Sequence, residues 1–134
     1  LLTEACDRVE VRHPRGAWTV VHGGIDPKLG IENTPDDVKI HIKAAEGEQN
    51  WWERYDGSEG LIIVGHRPVR QPIILRSESG APYFANIDTG CAYGGALTAY
   101  CIEADQVLQV HGETLPIPGI EVPTAFRGQR STSG

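Results

Sequence analysis

Two histidines and one aspartate have both the chemistry and the setting of site residues. His22 ends the apolar run Val20-Val21 and is followed by Gly23-Gly24-Ile25-Asp26-Pro27. His66 follows Leu61-Ile62-Ile63-Val64-Gly65 and precedes Arg67-Pro68. Asp88 lies in Asn86-Ile87-Asp88-Thr89-Gly90-Cys91-Ala92-Tyr93-Gly94-Gly95. Imidazole nitrogens and carboxylate oxygens are donor atoms for divalent metals, and loop tips held by a rigid sheet are where such chemistry is placed. Glycine beside His22 lets the backbone turn tightly and lets a ligand approach. A histidine between valines and glycines also serves as a plain turn residue, and an aspartate before Thr-Gly also caps its own turn. At this level both readings stand.

The elements that must position these residues are mostly strands. Ala17 to Val21 is a short aromatic and β-branched strand. Leu61 to Val64 is apolar throughout, as in a strand buried on both faces. From Pro72 onward the pattern is a meander: Ile73 to Leu75, a Ser-Glu-Ser-Gly turn, Tyr83 to Ile87, then Ala96 to Glu103 and Gln106 to His111 around a tight turn at Ala104-Asp105. Residues 1 to 12 are expected to be the end of a helix, with Leu1, Leu2, Ala5, Cys6 and Val9 at helical spacing. Thr34-Pro35-Asp36-Asp37 has the form of a helix start: a hydroxyl N-cap, proline at the first position, acids in the first turn. Glu46 to Asn50 is a polar loop. Beyond Gly112, prolines 116, 118 and 123 interrupt regular structure, and Arg127 to Gly134 has the composition of a disordered tail.

At 134 residues the chain can hold one domain core. Its net charge of −6, with 12 scattered basic residues, indicates no surface for duplex nucleic acid. No apolar run approaches the ~20 residues that cross a bilayer, so no membrane partner is expected. Three cysteines without a CxxC pair argue against a disulfide framework or zinc knuckle. Reduced thiols and a cytoplasmic location are the default, and Cys101 reads as a small buried hydrophobe in its strand. The chain starts at Leu1 and contains no methionine, which fits a truncated chain.

The three glycine-bracketed motifs, in this order, resemble the C-terminal half of a calcineurin-like metallophosphoesterase. The serine/threonine-phosphatase and symmetrical diadenosine-tetraphosphatase types are the nearest in pattern, and the phosphatase domain of bacterial polynucleotide kinase-phosphatase is also similar. Those families carry His-Gly-Gly or His-Ala-Gly followed by Asp-Pro, then Gly-His-Thr-Pro, then Ile-Asp-Thr-Gly with Gly-Gly and a Leu-Thr-Ala strand. The matching residues are His22 to Pro27, Gly65 to Pro68 and Ile87 to Ala99, within a likeness covering roughly residues 17 to 112. Arg67 departs from the usual threonine. Pro68, where other branches have a second histidine, places the chain in the Gly-His-x-Pro branch. The Gly-Asp-x-His-Gly, Gly-Asp-x-x-Asp-Arg-Gly and Gly-Asn-His-Glu motifs that open these enzymes do not occur in this sequence.

The resemblance implies an α/β fold: a metallophosphoesterase-type β-sandwich flanked by helices, of which this chain would be only the mainly-β C-terminal half. Residues 1–112 would be a partial domain and 113–134 a Pro/Gly-rich, disordered tail. His22 and His66 would ligate one of two divalent ions, Mn²⁺, Fe or Zn²⁺. Asp88 would either orient a ligand or bound water from behind or merely cap its turn. Arg54, Arg67 and Tyr93 are candidates for binding substrate phosphate, the arginines because a guanidinium matches phosphate oxygens and Tyr93 because it follows the Asp88 turn; a solvated Arg54 beside Glu53 is equally open. Trp52 and Tyr55 read as packing residues, Asp26 as a turn former, and His13, His41 and His111 as surface residues. The implied reaction is hydrolysis of a phosphoprotein or a dinucleoside polyphosphate. The missing N-terminal half of the same domain would be the partner that completes the site, so the chain alone would be a poor catalyst. The alternative is a non-catalytic remnant acting as a binding or interaction domain.

Overall fold

The computed structural model describes residues 6–13, 16–42, 49–111, 119 and 121–127. It divides into two compact units: Leu1–Arg67 with Ile73–Asn86, and Pro68–Pro72 with Ile87–Gly134. The fold is mixed α/β, with strands dominant and helices short. No helix among the described residues is long and apolar enough to cross a membrane.

The first unit is built on a five-stranded sheet: β1 (Arg8–His13), β2 (Gly16–Val21), β3 (Leu61–Val64), β4 (Ile73–Arg76) and β5 (Pro82–Asn86), in the spatial order β1-β2-β3-β5-β4. The central pairs β2–β3 and β3–β5 are parallel, and the flanking pairs β1–β2 and β4–β5 are antiparallel. All four residues of β3 are buried, as its continuous apolar run requires. One correction concerns the N-terminal segment. Residues 1–5 lie outside the described residues, but Arg8–His13 is a strand and not the end of a helix. Val9 and Val11 alternate with Arg8, Glu10 and Arg12, a period of two that suits a strand paired with β2. The helical spacing of the apolar residues ends where this alternation begins.

One face of the sheet carries the core. Val21, Ile62, Val64 and Phe84 pack with Ile25, Ile31, Trp51, Trp52 and Tyr55. Trp52 stacks on Phe84 with centroids 5.2 Å apart, and Trp51 meets the same ring edge-on at 5.3 Å. Such pairs add about 0.5–1.5 kcal/mol each beyond burial. The Tyr55 hydroxyl donates to the Gly60 carbonyl and accepts from the Glu59 N–H, and burial pushes its pKa up to about 12. On the opposite face, Val9, Val11 and Val20 remain exposed.

Two short helices, α1 (Gly30–Asn33) and α2 (Asp36–His41), follow the His22 turn. Thr34 does not cap α2. Its hydroxyl donates to the Gly30 carbonyl and accepts from the Asp26 N–H, tying the loop together, and Pro35 occupies the cap position. Lys39 of α2 is 2 % exposed, and its ammonium donates to the carboxylates of Asp7 at 2.6 Å and Asp36 at 3.3 Å. The segment 43–48, which takes in most of the expected polar loop, lies outside the described residues.

The second unit contains the hairpin β6 (Ala96–Cys101) and β7 (Gln106–His111). The turn spans 102–105, longer than the Ala104-Asp105 turn expected, with Asp105 in the left-handed region at φ 52°. Ala96 and Thr98 face inward, whereas Leu97, Leu108 and Val110 are exposed. Cys101 shares their outward side and is exposed, not a buried hydrophobe: counting by twos from Ala96 leaves it on the wrong face. Of the stretch expected to be a disordered tail, 119 and 121–127 are described. There Thr124–Phe126 makes a turn of 3-10 helix, and Phe126 is buried. Its ring lies where a side chain on Gly90 or Gly95 would have to go.

The Asp7–Lys39 pair makes a test of how α2 is held. The hydrogen bond from Lys39 keeps the Asp7 carboxyl below its ordinary 3.8, and Asp7 in turn raises Lys39 above 10.5. The contribution of Asp7 is therefore complete above 3.8 and is lost as pH falls through its lowered folded value; that of Lys39 is complete below 10.5 and is lost as pH rises through its raised one. Thermal melts followed by circular dichroism should show Lys39→Met less stable than wild type near neutrality. The gap should narrow as pH drops below 3.8; a constant gap down to strongly acidic pH would mean the pair does not hold the helix.

Candidate functional site

Parallel pairing of β2 with β3 brings their carboxyl ends side by side, the place where open α/β sheets bind ligands. The pairing continues one bond past the strands: the Gly65 N–H donates to the His22 carbonyl at 3.0 Å. His22 and His66 therefore leave the sheet next to one another. Nε2 of His22 lies 3.1 Å from Nδ1 of His66, with ring centroids 4.9 Å apart.

His66 is held in an uncommon backbone conformation. Its φ is 67°, in the left-handed region, and the Arg67 N–H closes a three-residue turn onto the Gly65 carbonyl at 2.7 Å. A non-glycine residue in such a turn is strained, and strain of this kind persists only where neighbours over-determine it. Here they do. Asn86, fully buried at the end of β5, donates its side-chain amide to the Arg67 carbonyl at 3.0 Å. The Arg67 guanidinium donates to Oδ1 of Asn50 at 3.0 Å and lies 5.9 Å over the Trp52 ring.

The His22 turn is closed from the other side. The N–H groups of Gly23 and Gly24 both donate to the Lys39 carbonyl, at 2.7 and 3.2 Å. A Cβ on Gly23 would come within 2.9 Å of the Ile40 carbonyl oxygen, and one on Gly24 would collide with the Trp51 indole. The buried Trp51 Nε1 has no hydrogen-bond partner among the described residues, so the ring is placed there by packing. The glycines thus let the end of α2 and an indole approach the backbone. His41, the last residue of α2, is carried to within 5.8 Å of the His66 ring centroid and meets it edge-on.

The other sequence candidates fall as follows. Asp26 forms a turn, accepting from Lys28, Leu29 and Gly30. Arg54 is exposed at the end of the Trp51–Glu53 turn. Asp88 and Tyr93 belong to the second unit. Asp88 accepts the Gly90 N–H on its carboxylate at 3.1 Å, the geometry of a turn cap, and Tyr93 packs against Phe126 at 6.1 Å. Sequence reasoning set His41 aside as a surface residue matching no motif; it is exposed, yet stands beside His66. It also passed over Asn86 and Lys39, whose roles depend on contacts distant in sequence.

The histidine pair suits one edge of a metal's coordination shell. Two imidazole nitrogens bound ~2.1 Å from one ion at adjacent positions lie about 3.0–3.4 Å apart, which brackets the spacing seen here. The same spacing is a hydrogen bond when one ring nitrogen is protonated. No group of three or more His, Cys, Asp and Glu residues among the described residues is arranged to hold a metal. What this chain shows is a two-donor edge.

Because the Gly24 turn is closed on an indole, Gly24→Ala should lower the stability of the chain by about 1–3 kcal/mol, the usual cost of over-packing. Urea denaturation measures this, and unchanged stability would show that the turn does not depend on the contact.

Protein-family models were searched and none matches. An asymmetrical bis(5'-nucleosyl)-tetraphosphatase PrpE from Geobacillus sp. (strain WCH70) is 36% identical over 96 residues, covering 72% of this chain and 31% of that protein. The PrpE of Halalkalibacterium halodurans is 39% identical over 69 residues, 51% of this chain and 22% of that protein. The crystal structure of a candidate diadenosine tetraphosphatase superposes with a TM-score of 0.58 at 21% identity, over 72% of this chain and 47% of the other, which shows a shared fold. The chain spans about a third or less of the length of the curated relatives it matches. The likeness seen in the motifs thus holds in sequence and in fold: this chain is similar to part of a calcineurin-like metallophosphoesterase of the diadenosine-tetraphosphatase kind.

Proposed function

We propose that the protein carrying this chain hydrolyses dinucleoside polyphosphates at a metal centre to which His22 and His66 contribute ligands. The observation that carries this reading is the 3.1 Å approach of two imidazole nitrogens at the ends of adjacent parallel strands, one of them in a strained turn. The names of the similar proteins point to the substrate class. By the family pattern, the aspartate and asparagine motifs that complete a two-metal site are not in these 134 residues. The proposal is therefore made for a protein in which this stretch is joined to them. Mn²⁺, Fe or Zn²⁺ would suit a mixed imidazole and carboxylate shell. When bound, such ions lower the pKa of water and neutralise charge on phosphoryl oxygens.

The chain's own residues do the positioning. Asn86 and Asn50 hold the Arg67 segment, which fixes the backbone from which His66 projects beside His22. With its guanidinium engaged by Asn50 and Trp52, Arg67 serves the turn first and would meet phosphate only by leaving them. Arg54, exposed, is the freer of the two arginines to contact substrate. Asp88 would steady its own turn through Gly90. The second reading, a non-catalytic binding domain, draws support from the two-donor edge: two ligands alone do not make a hydrolytic site.

One assay decides between them. Diadenosine tetraphosphate is given to the full native protein with Mn²⁺, and nucleotides are separated by chromatography. ATP plus AMP would mark asymmetrical cleavage, and two ADP symmetrical cleavage. His22→Ala and His66→Ala should each lower kcat/KM by on the order of 10²–10⁴-fold, since a metal ligand supports several kcal/mol of transition-state stabilisation. Turnover unaffected by either substitution, or none in wild type, would favour the binding domain.

A further inference from the structure

His41 was not expected at the site, and the fold brings it there by a route independent of the two histidine motifs. It ends a six-residue helix whose position is set by three contacts. The Lys39 carbonyl accepts both N–H groups of the His22 turn, the Lys39 ammonium is paired with Asp7, and the Ile40 carbonyl lies against Gly23. The helix cannot shift without opening the turn that carries His22. The ring at its end stands edge-on to His66 with centroids 5.8 Å apart, farther than the 4.9 Å between His22 and His66. The three rings thus come from the turns after β2 and β3 and from the end of α2, and all belong to the first unit.

We infer that His41 is a substrate-binding residue of this site, donating a ring N–H to the phosphoryl oxygens of a substrate seated at the His22–His66 pair. The inference rests on the reading proposed above. Two observations favour this role over metal ligation. His41 makes no three-donor group with the pair among the described residues. Its ring is also exposed, so a nitrogen can face a ligand arriving from solvent. Phosphoryl oxygens gain charge in the transition state and need donors beyond the metal. An imidazole next to the ligand pair, but outside it, supplies one. This role asks for a hydrogen-bond donor and no net charge, so glutamine, whose amide also donates, should replace it in part.

The test separates metal from phosphate. The full native protein and its His41→Ala, His41→Gln and His66→Ala forms are titrated with Mn²⁺ alone by calorimetry. The Mn²⁺-loaded proteins are then titrated with inorganic phosphate. His41→Ala should bind Mn²⁺ within about twofold of wild type and phosphate roughly tenfold more weakly, as for loss of a hydrogen bond to a charged group. His41→Gln should recover most of the phosphate affinity, and His66→Ala should lose Mn²⁺ binding. Wild-type phosphate affinity in His41→Ala would overturn the inference. So would a loss of Mn²⁺ affinity matching that of His66→Ala, which would make His41 a ligand. A wild-type protein that binds neither probe would bring down the metal-site reading itself, an outcome distinct from either of these. Circular dichroism of the variants checks that each remains folded, which an exposed residue at a helix end permits.

Discussion

The hydrogen bond from the Gly65 N–H to the His22 carbonyl is the constraint on which the site depends. It extends the parallel β2–β3 ladder by one rung beyond the last strand pair. Two residues 44 positions apart then leave the sheet at neighbouring points and in the same direction. Parallel strands require long crossovers, and here the crossover carries both helices and the aromatic segment. The connection that makes the pairing possible also covers one face of the sheet and supplies the third histidine.

Glycine and aromatic residues work together around this rung. The Gly23–Gly24 pair is narrow enough for the end of α2 to bond to its amides and for the Trp51 indole to lie against it. That indole and its neighbour Trp52 both pack on Phe84, and Trp52 also lies beneath the Arg67 guanidinium. The aromatic cluster is therefore both hydrophobic core and backing for the Gly24 turn and Arg67. A change in the core should therefore be felt at the turns, because close-packed interiors yield little locally. The buried Asn86 amide and the paired Lys39 ammonium satisfy polar groups inside that core and at the same time fix the His66 turn and α2.

The left-handed backbone at His66 fits the same scheme. It costs on the order of 1 kcal/mol, and hydrogen bonds on both sides of it keep the turn closed. A relaxed turn would let the imidazole point away from the strand end. The second unit shows a comparable use of close approach, with Phe126 filling the space that Gly90 and Gly95 leave open and the Thr89 hydroxyl donating to the Ala96 carbonyl.

Short-range chemistry made much of this legible from the sequence alone. Apolar runs marked β2 and β3, short runs set between turn signals marked β4 to β7, and glycines beside His22 and His66 marked the turns that end the parallel strands. The acids of Asp36-Asp37 marked α2. Each of these is a property of a few adjacent residues, so composition and spacing suffice. The N-terminal strand was misread because a few apolar residues matched a helical period while Val9 and Val11 carried the weaker signal of a strand that only β2 could stabilise. Cys101 was misplaced because a strand's burial alternates, and only packing reveals which side faces in. His41, Asn86, Lys39 and the clasp on Arg67 were invisible for one reason: their partners lie tens of residues away. Local sequence determined which residues end the strands. Only the sheet pairing and the docking of α2 decided which of them meet, because the distance between two turns is set by tertiary hydrogen bonds and packing and leaves no mark in the local pattern.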